Sequence, residues 1–197
     1  MSRVHKNYNI HRRNLLDRDD YRDFKQELVE DFHNICGYCG KNFSVLHVQS
    51  QIDHFIPKTK YPIYTNKYSN LVLCCKTCNG KKGQDWPSEN PTNPITSDGL
   101  KGYIDPTDID FDKNITRQDD GSICGLTEIG KYMVKRLDFE NRPIKEVYLA
   151  WELSDEIDRI NELRLNECSY DSIKLNELYF DLNELKTELY RFSKEMK

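Results

Sequence analysis

Two cysteine pairs decide the fold of this chain: Cys36-Gly37-Tyr38-Cys39 and Cys75-Lys76-Thr77-Cys78. Four thiolates at this CxxC…CxxC spacing can close one tetrahedral zinc site. A site of this kind joins two distant segments and forces the residues between them into a compact loop. We therefore predict a structural zinc ion, held by Cys36, Cys39, Cys75 and Cys78.

Polar side chains of a particular kind accompany the two pairs. Asp53-His54 and Asn70 fall between them, and Asn79 directly follows the last cysteine. A neutral imidazole can take a proton from water, and carboxylate and amide oxygens are ligands that Mg²⁺ accepts. These residue types suit metal-dependent cleavage of a phosphodiester. Neighbours in a strand point to opposite faces, so Asp53 and His54 can serve one site only if the backbone twists or bulges, or if metal and water approach from different sides.

Composition bounds the class of protein. The chain has 197 residues, enough for one domain or one and a half, with 37% hydrophobic and 31% charged residues. It contains no run of about 18 apolar residues and no apolar stretch after its basic N-terminus, so we expect neither a membrane span nor a secretory signal. The odd number of seven cysteines suits a reducing cytoplasm with metal-bound thiolates better than a disulfide framework.

Charge is distributed unevenly along the chain. The net charge is -4, yet residues 53–83 hold six lysines against one aspartate. A phosphate-binding surface needs local positive charge rather than a basic chain as a whole. Lys81 and Lys82 are therefore candidates for phosphate contact, with ordinary solvated surface as the alternative.

The hydrophobic pattern predicts four segments. Residues 1–35 form a basic arm and a helix over 18–35 with Asp17 as its N-cap, and residues 36–90 form the zinc-held core with a hairpin over 44–56. Residues 91–143 are a loop-rich connector, with short strands at 99–104 and 122–126. Residues 144–197 form an antiparallel helical hairpin with its turn at 166–171.

The second helix of that hairpin carries an apolar stripe. Its members recur at spacings of three and four: Leu175, Leu178, Leu182, Leu185, Leu189 and Phe192. Such a stripe most often packs within its own fold, and a docking or dimerisation surface is the alternative. The pattern alone does not decide between the two.

The combined motifs resemble the HNH endonuclease family. The likeness runs from Cys36 through Asp53-His54 and Asn70 to Asn79 and the Lys81-Lys82-Gly83 run that follows. It implies a ββα-metal fold in which His54 is the general base and Asp53 and Asn79 bind a catalytic Mg²⁺ or Mn²⁺ ion. It also implies that Asn70 holds the metal loop or the base in orientation. The amide at Asn79 is a weaker charge donor than a carboxylate, so we expect modest metal affinity.

Short blocks further along resemble one subgroup of that family. They are Trp86-Pro87, Tyr103-Ile104-Asp105-Pro106, Asp120-Gly121-Ser122-Ile123 and Leu137-Asp138-Phe139-Glu140-Asn141-Arg142. The subgroup includes the nuclease subunit of Septu-type antiphage systems and of related retron systems, which act with an ABC-type ATPase. The resemblance implies a defence effector that an ATPase partner controls, with the helical hairpin as a candidate docking surface.

The sequence thus predicts an α+β protein: a zinc-stapled ββα-metal core with an N-terminal helix and a C-terminal helical hairpin. Its expected function is endonucleolytic cleavage, with DNA as the preferred prediction for the substrate. We expect low sequence specificity, because no known sequence-reading element stands out. Two alternatives stay open: a zinc-dependent nucleic-acid or partner-binding module without turnover, and an RNase of the same fold. The oligomeric state, whether homo- or hetero-oligomeric, is also left open.

Overall fold

The computed structural model describes residues 2–90, 92–165 and 172–195, apart from the side chains of 163–165, 190 and 192–195. It shows the predicted mixed α+β fold. The helices are α1 Lys25–Asp31, α2 Lys76–Lys82, α3 Phe111–Asn114, α4 Glu128–Arg136, α5 Ile144–Leu165 and α6 Ser172–Glu195. The strands are β1 Gln51–His54, β2 Leu71–Cys74, β3 Ile115–Arg117 and β4 Ile123–Gly125. Single turns of 3-10 helix lie at Tyr21–Phe24, Pro62–Tyr64, Tyr68–Asn70 and Phe139–Asn141.

A ββα unit forms the centre of the molecule. Strand β1 pairs antiparallel with β2, with Asp53 opposite Val72 and His54 opposite Leu71. Helix α2 begins directly after β2 and packs against β1. All four residues of β2 are buried, because one face lies against α1 and the other meets the rest of the core.

The predicted hairpin over 44–56 is wrong. Of that segment only β1, Gln51–His54, is a strand, and its partner is β2 rather than residues before it. Val45 and Leu46, which suggested alternation, instead pack against the C-terminal helices. Strand β1 pairs with β2 because of a tertiary contact. The four-cysteine cluster holds the residues after β2 beside the first cysteine pair, from which the chain leads to β1.

The N-terminal helix is shorter than the sequence predicts. A 3-10 turn at Tyr21–Phe24 leads into α1, and the cap is Asp20, whose side chain accepts a hydrogen bond from the backbone N–H of Arg22. Helix α1 ends before His33 and Asn34, which adopt φ angles of 51° and 55°. This left-handed turn redirects the chain into the first cysteine pair.

One hydrophobic core joins the ββα unit to the segments before and after it. Buried residues come from the arm at Val4 and Ile10, from α1, from β2, and from the region beyond residue 90 at Tyr103, Phe111 and Met133. That region contains β3, β4 and α4, so it has more regular secondary structure than its prolines suggested. The strand predicted at 122–126 is present as β4, whereas 99–104 forms no strand. Helix α4 is capped by Thr127, whose hydroxyl accepts the backbone N–H of Gly130.

A second core lies within the C-terminal helical pair. Leu175 and Leu182 are buried between α5 and α6, and Leu178, Leu185 and Leu189 pack around them. The leucines of the stripe therefore pack within the fold, while the predicted turn at 166–171 and the side chain of Phe192 lie outside the described residues. Helix α5 starts at Ile144, two residues after Arg142. None of the helices in the described part of the chain has the length and apolar character needed to cross a bilayer.

Candidate functional site

The four predicted zinc ligands form one buried cluster. The Sγ atoms of Cys36, Cys39, Cys75 and Cys78 all lie within 4.8 Å of one another. The sulfurs of Cys39 and Cys75 are 3.9 Å apart, far beyond a disulfide bond. Tetrahedral coordination with zinc–sulfur bonds of about 2.3 Å requires a sulfur–sulfur distance of about 3.8 Å. The cluster therefore has the dimensions of a structural zinc site.

Hydrogen bonds from the chain surround these sulfurs. The backbone N–H of Cys75 donates to the sulfur of Cys36 at 3.3 Å, and that of Cys78 donates to the sulfur of Cys75 at 3.4 Å. The buried guanidinium of Arg142 reaches the sulfurs of Cys78, Cys75 and Cys39 at 3.4, 3.6 and 3.9 Å. Four thiolates around Zn²⁺ carry a net charge of about −2, which this cation partly neutralises. No chemical signal in the sequence pattern pointed to Arg142.

Helix α2 lies over one face of β1. The side chain of Asn79 donates to Gln51 Oε1 at 2.9 Å, and the ammonium of Lys82 lies 3.0 Å from Asp53 Oδ2. Gln51 and Asp53 are two apart in a strand, and Asn79 and Lys82 are three apart in a helix, so each pair shares a face. The fold therefore brings Asp53 and Asn79 into the same β1–α2 interface.

The carboxylate of Asp53 is held at one oxygen. The hydroxyl of Tyr38 donates to Oδ2 at 2.5 Å, and the fully buried Lys82 ion-pairs with the same atom while donating to the carbonyl of His54 at 2.9 Å. Burial, together with the Asp53 charge, raises the pKa of Tyr38 and keeps it a donor. Oδ1 has no hydrogen-bond partner among the residues described, and Asp53 keeps 5% of its surface exposed. One oxygen is thus fixed and the other is free to bind a cation.

The imidazole of His54 has a defined tautomer. Its Nε2 lies 2.9 Å from the carbonyl oxygen of Thr65, which can only accept, so Nε2 carries the proton. Nδ1 is left as the basic nitrogen. The ring of Tyr21 packs edge-on at 4.5 Å. Burial lowers the pKa of His54, outweighing the opposing effect of the Thr65 hydrogen bond.

Asn70 fixes the loop that holds this histidine. Its Oδ1 accepts the backbone N–H of Ile56 at 2.8 Å, and its Nδ2 donates to the carbonyls of Ile56 and Tyr64 at 3.0 and 3.1 Å. Tyr64 precedes Thr65, whose carbonyl orients His54. Asn70 therefore ties together the loop whose Thr65 carbonyl meets the His54 ring.

Asp53 and His54 face different surroundings, as neighbours in a strand should. The carboxylate points to Tyr38 and α2, whereas the imidazole points to Tyr21 and the loop around Thr65. No bulge interrupts the register of β1 with β2. The two side chains therefore leave the end of the strand on different sides, without the bulge that would bring them to one side.

The residues present fit a hard divalent cation. Asp53 offers a free carboxylate oxygen, and Asn79, half-buried, uses its amide nitrogen on Gln51, which leaves its amide oxygen as a possible ligand. The two lysines expected at phosphate differ in surroundings. Lys82 is fully buried, so direct contact with phosphate is disfavoured, whereas Lys81 is 40% exposed and pairs with Asp138 at 2.7 Å. Sequence reasoning missed Tyr38, because no spacing rule links it to Asp53.

Comparison with known proteins agrees with this geometry. Residues 36–85 match the HNH endonuclease family. Septu protein PtuB of Bacillus thuringiensis is 36% identical over 83 residues, which make up 40% of this chain and 32% of that protein. The alignment thus spans about a third of the length of this relative. No solved structure matches the chain.

Proposed function

We propose that the HNH endonuclease domain at residues 36–85 makes this chain a divalent-metal-dependent nuclease that hydrolyses phosphodiester bonds in DNA. One observation carries the proposal. The end of β1 presents a neutral imidazole whose Nδ1 is free, next to a carboxylate of which one oxygen is clamped and the other open. A binding module without turnover has no need of a base held in one tautomer.

Each side chain has a role in this reaction. His54 Nδ1 takes the proton of the attacking water, and the bond from Nε2 to Thr65 stabilises the imidazolium that results. Asn70 keeps the loop that carries Thr65 in place. Asp53 and Asn79 would hold the Mg²⁺ or Mn²⁺ ion through oxygen atoms. Such an ion, when bound, neutralises charge on the phosphate and stabilises the departing oxygen.

The test is a plasmid-nicking assay with and without added Mg²⁺ or Mn²⁺. His54→Ala should lower the cleavage rate by about 10²- to 10⁴-fold, the usual effect of removing a general base, while the chain still folds and keeps its zinc. His11→Ala is the control, because His11 is exposed, lies outside the site, and its ring meets the carbonyl of Asn9 and the ring of His33. Undiminished cleavage by the His54 variant would contradict the assignment.

The same assay separates the alternatives. Equal cleavage of DNA with and without divalent metal would remove the roles given to Asp53 and Asn79. A tRNA substrate run in parallel distinguishes a DNase from an RNase of the same fold. Failure to cut either substrate under all these conditions would favour the binding module.

We also propose that the nuclease acts in antiphage defence under the control of an ABC-type ATPase. Support comes from the likeness to Septu protein PtuB and from the family blocks at Trp86-Pro87 and Leu137–Arg142. A nuclease of low sequence specificity endangers its own cell, so we expect a partner to restrain it. Co-purification from the native cell should recover such an ATPase, and the nicking assay should then be run on the complex. A chain that is fully active alone and toxic without any partner would refute this control.

A further inference from the structure

A basic cavity lies on the flank of α2, outside the site described above. Its volume is about 570 Å³, and it is open to solvent. Four cationic side chains, one tyrosine and one carboxylate line it: Lys81, Lys101, Tyr132, Lys135, Arg136 and Asp138. Only Lys81 of these belongs to the segment that matches the HNH family.

Three separate segments build this cavity, so its charges do not follow from one run of sequence. Lys81 belongs to α2, and Lys135 and Arg136 to the last turn of α4. Lys101 sits in a tight turn, where its backbone N–H donates to Asp98 Oδ1 at 2.7 Å and its carbonyl accepts from the N–H of Asp98 at 3.0 Å. The helix dipole favours cations at the end of α4, but it does not explain a lysine delivered by another segment.

The positive charge exceeds what the nearby acids neutralise. Lys81 pairs with Asp138 at 2.7 Å, and Arg136 pairs with Asp85 at 3.3 Å. The ammonium groups of Lys101 and Lys135 form no salt bridge within the described segments, and both residues are exposed. The carboxylate of Asp98 lies close enough to Lys101 to offset part of its charge. Lys135, and Lys101 in part, therefore remain for a ligand. The compound that such a cavity recognises is an anion with several charges.

Helix α2 is a wall shared by this cavity and the nuclease site. Arg136 donates to the carbonyl of Lys82 at 3.4 Å, and the ammonium of Lys82 holds Asp53 on the far side. Lys81 lies two residues after Asn79. An α-helix with its side chains is about 10–12 Å across, and each strand of duplex DNA places a phosphate every 3.4 Å or so along the axis. Phosphates about three or four steps from the scissile one are therefore within reach of the cavity.

We infer that this cavity is a second phosphate-binding site, in which Lys101 and Lys135 take phosphates of the nucleic-acid backbone while α2 faces the scissile bond. The inference rests on the proposed nuclease function for its choice of nucleic acid. The shared chemistry is a run of phosphates, which a free nucleoside triphosphate also carries. Side chains of this kind fix the position of the strand and add affinity without reading bases.

The experiment measures binding in the nuclease-dead His54→Ala chain without added divalent metal. Fluorescence anisotropy with a short DNA duplex over a range of KCl concentrations gives the affinity and its salt dependence. Lys101→Gln with Lys135→Gln should weaken binding about tenfold at low salt and reduce the slope of log K against log salt by about 2, close to 1 for each phosphate that the variant no longer neutralises. Both side chains are exposed and unpaired, so folding should be unaffected.

The matched control is Lys113→Gln with Lys145→Gln. These lysines are 73% and 56% exposed, pair with Asp110 and Asp120, and do not line the cavity. The control alters net charge by the same amount but leaves the cavity intact, so we expect it to change the salt slope far less than the cavity variant does. Calorimetric titration with ATP, for all three chains, tests the other source of phosphate. If the cavity variant loses ATP binding but binds DNA like the unsubstituted chain, the cavity is a nucleotide site and the inference is overturned. If both double variants weaken both ligands equally, the inference is overturned as well.

Cleavage is measured separately, so the two proposals fail in different ways. A chain that binds DNA through Lys101 and Lys135 but never cuts would remove the nuclease proposal and keep this site. If the chain cuts DNA with metal but the cavity variant binds DNA like the control, the nuclease proposal stands and the cavity proposal is removed.

Discussion

When Arg142 is replaced by methionine, we expect the four-cysteine cluster to release zinc more readily. The guanidinium approaches three of the sulfurs at 3.4 to 3.9 Å and also donates to the carbonyl of Leu137 at 2.9 Å. Methionine keeps an unbranched apolar stem in the core, so the change removes mainly the charge and the N–H donors. The dianionic cluster then loses the cation that contacts its sulfurs, and only the more distant charges of Arg117 and Lys41 remain near it.

Two independent magnitudes agree on the size of the effect. A hydrogen bond to a charged group contributes about 1.5–3 kcal/mol. Loss of a residue that supports metal ligands usually weakens metal binding about 10- to 100-fold, which corresponds to about 1.4–2.8 kcal/mol. We therefore expect the zinc affinity of the Arg142→Met chain to fall by about one to two orders of magnitude.

Competition with a chromophoric chelator measures this on the full zinc-loaded chain. The matched control is Arg12→Met, because Arg12 is buried to a similar degree and donates to the carbonyl of Leu71 and to Asp105 and Thr107 without touching sulfur. Both variants should destabilise the fold, but only the first should release zinc at lower chelator concentration. Equal zinc retention in wild type and Arg142→Met, or an equal loss in the control, would refute the reasoning.

Three further changes test the clamp, the loop and the arm. Tyr38→Phe removes the hydrogen bond to Asp53 and should lower the free energy of unfolding in urea by about 1.5–3 kcal/mol. This loss should exceed that of Tyr61→Phe, because the Tyr61 hydroxyl donates to a neutral carbonyl. Similar losses in the two variants would argue against a charged acceptor for Tyr38. Asn70→Ala should lower kcat in the nicking assay with little change in the Mn²⁺ concentration that gives half-maximal activity, because we assign Asn70 to the base and not to the metal. An unchanged kcat with a higher Mn²⁺ requirement would assign Asn70 to the metal instead. Burial lowers the pKa of His5 to about 4 from its ordinary 6.5, so the unfolded chain binds the proton first and stability should fall by about 3 kcal/mol as pH drops from 6.5 to 4. His5→Gln should flatten that dependence in denaturation curves, and an unchanged curve would contradict it.

Sequence spacing predicted the features that depend on short-range chemistry. The four cysteines converge as their spacing predicted, and the ββα order is the one that the family resemblance implied. The leucine stripe identified a helical pair, because a period of three and four residues is a local property of a helix. Asn70 hydrogen-bonds the loop around His54, and the orienting role that the resemblance implied for it stays a prediction.

The remaining features depend on contacts between segments far apart in sequence, which no local pattern encodes. Lys81 and Lys82 are identical neighbours, yet one is exposed and the other fully buried, because a helix turns by about 100° per residue and only Lys82 meets Asp53. Tyr38 reads as a spacer between two ligands until the fold places its hydroxyl on a carboxylate of β1. The short alternation near Val45 suggested a strand, but its partners are helices about a hundred residues later.

The start of α5 beside the sulfur cluster has a mechanical consequence. Arg142 and Ile144 are separated by a single proline, so the C-terminal helices are anchored almost directly to the residue that balances the thiolates. Any torque that another macromolecule exerts on this helical pair is transmitted to the cluster without a slack tether to absorb it. Tyr38 lies inside the first cysteine pair and donates to Asp53, so the same torque reaches strand β1. The cysteine cluster therefore couples the C-terminal helical pair mechanically to the strand that carries Asp53 and His54.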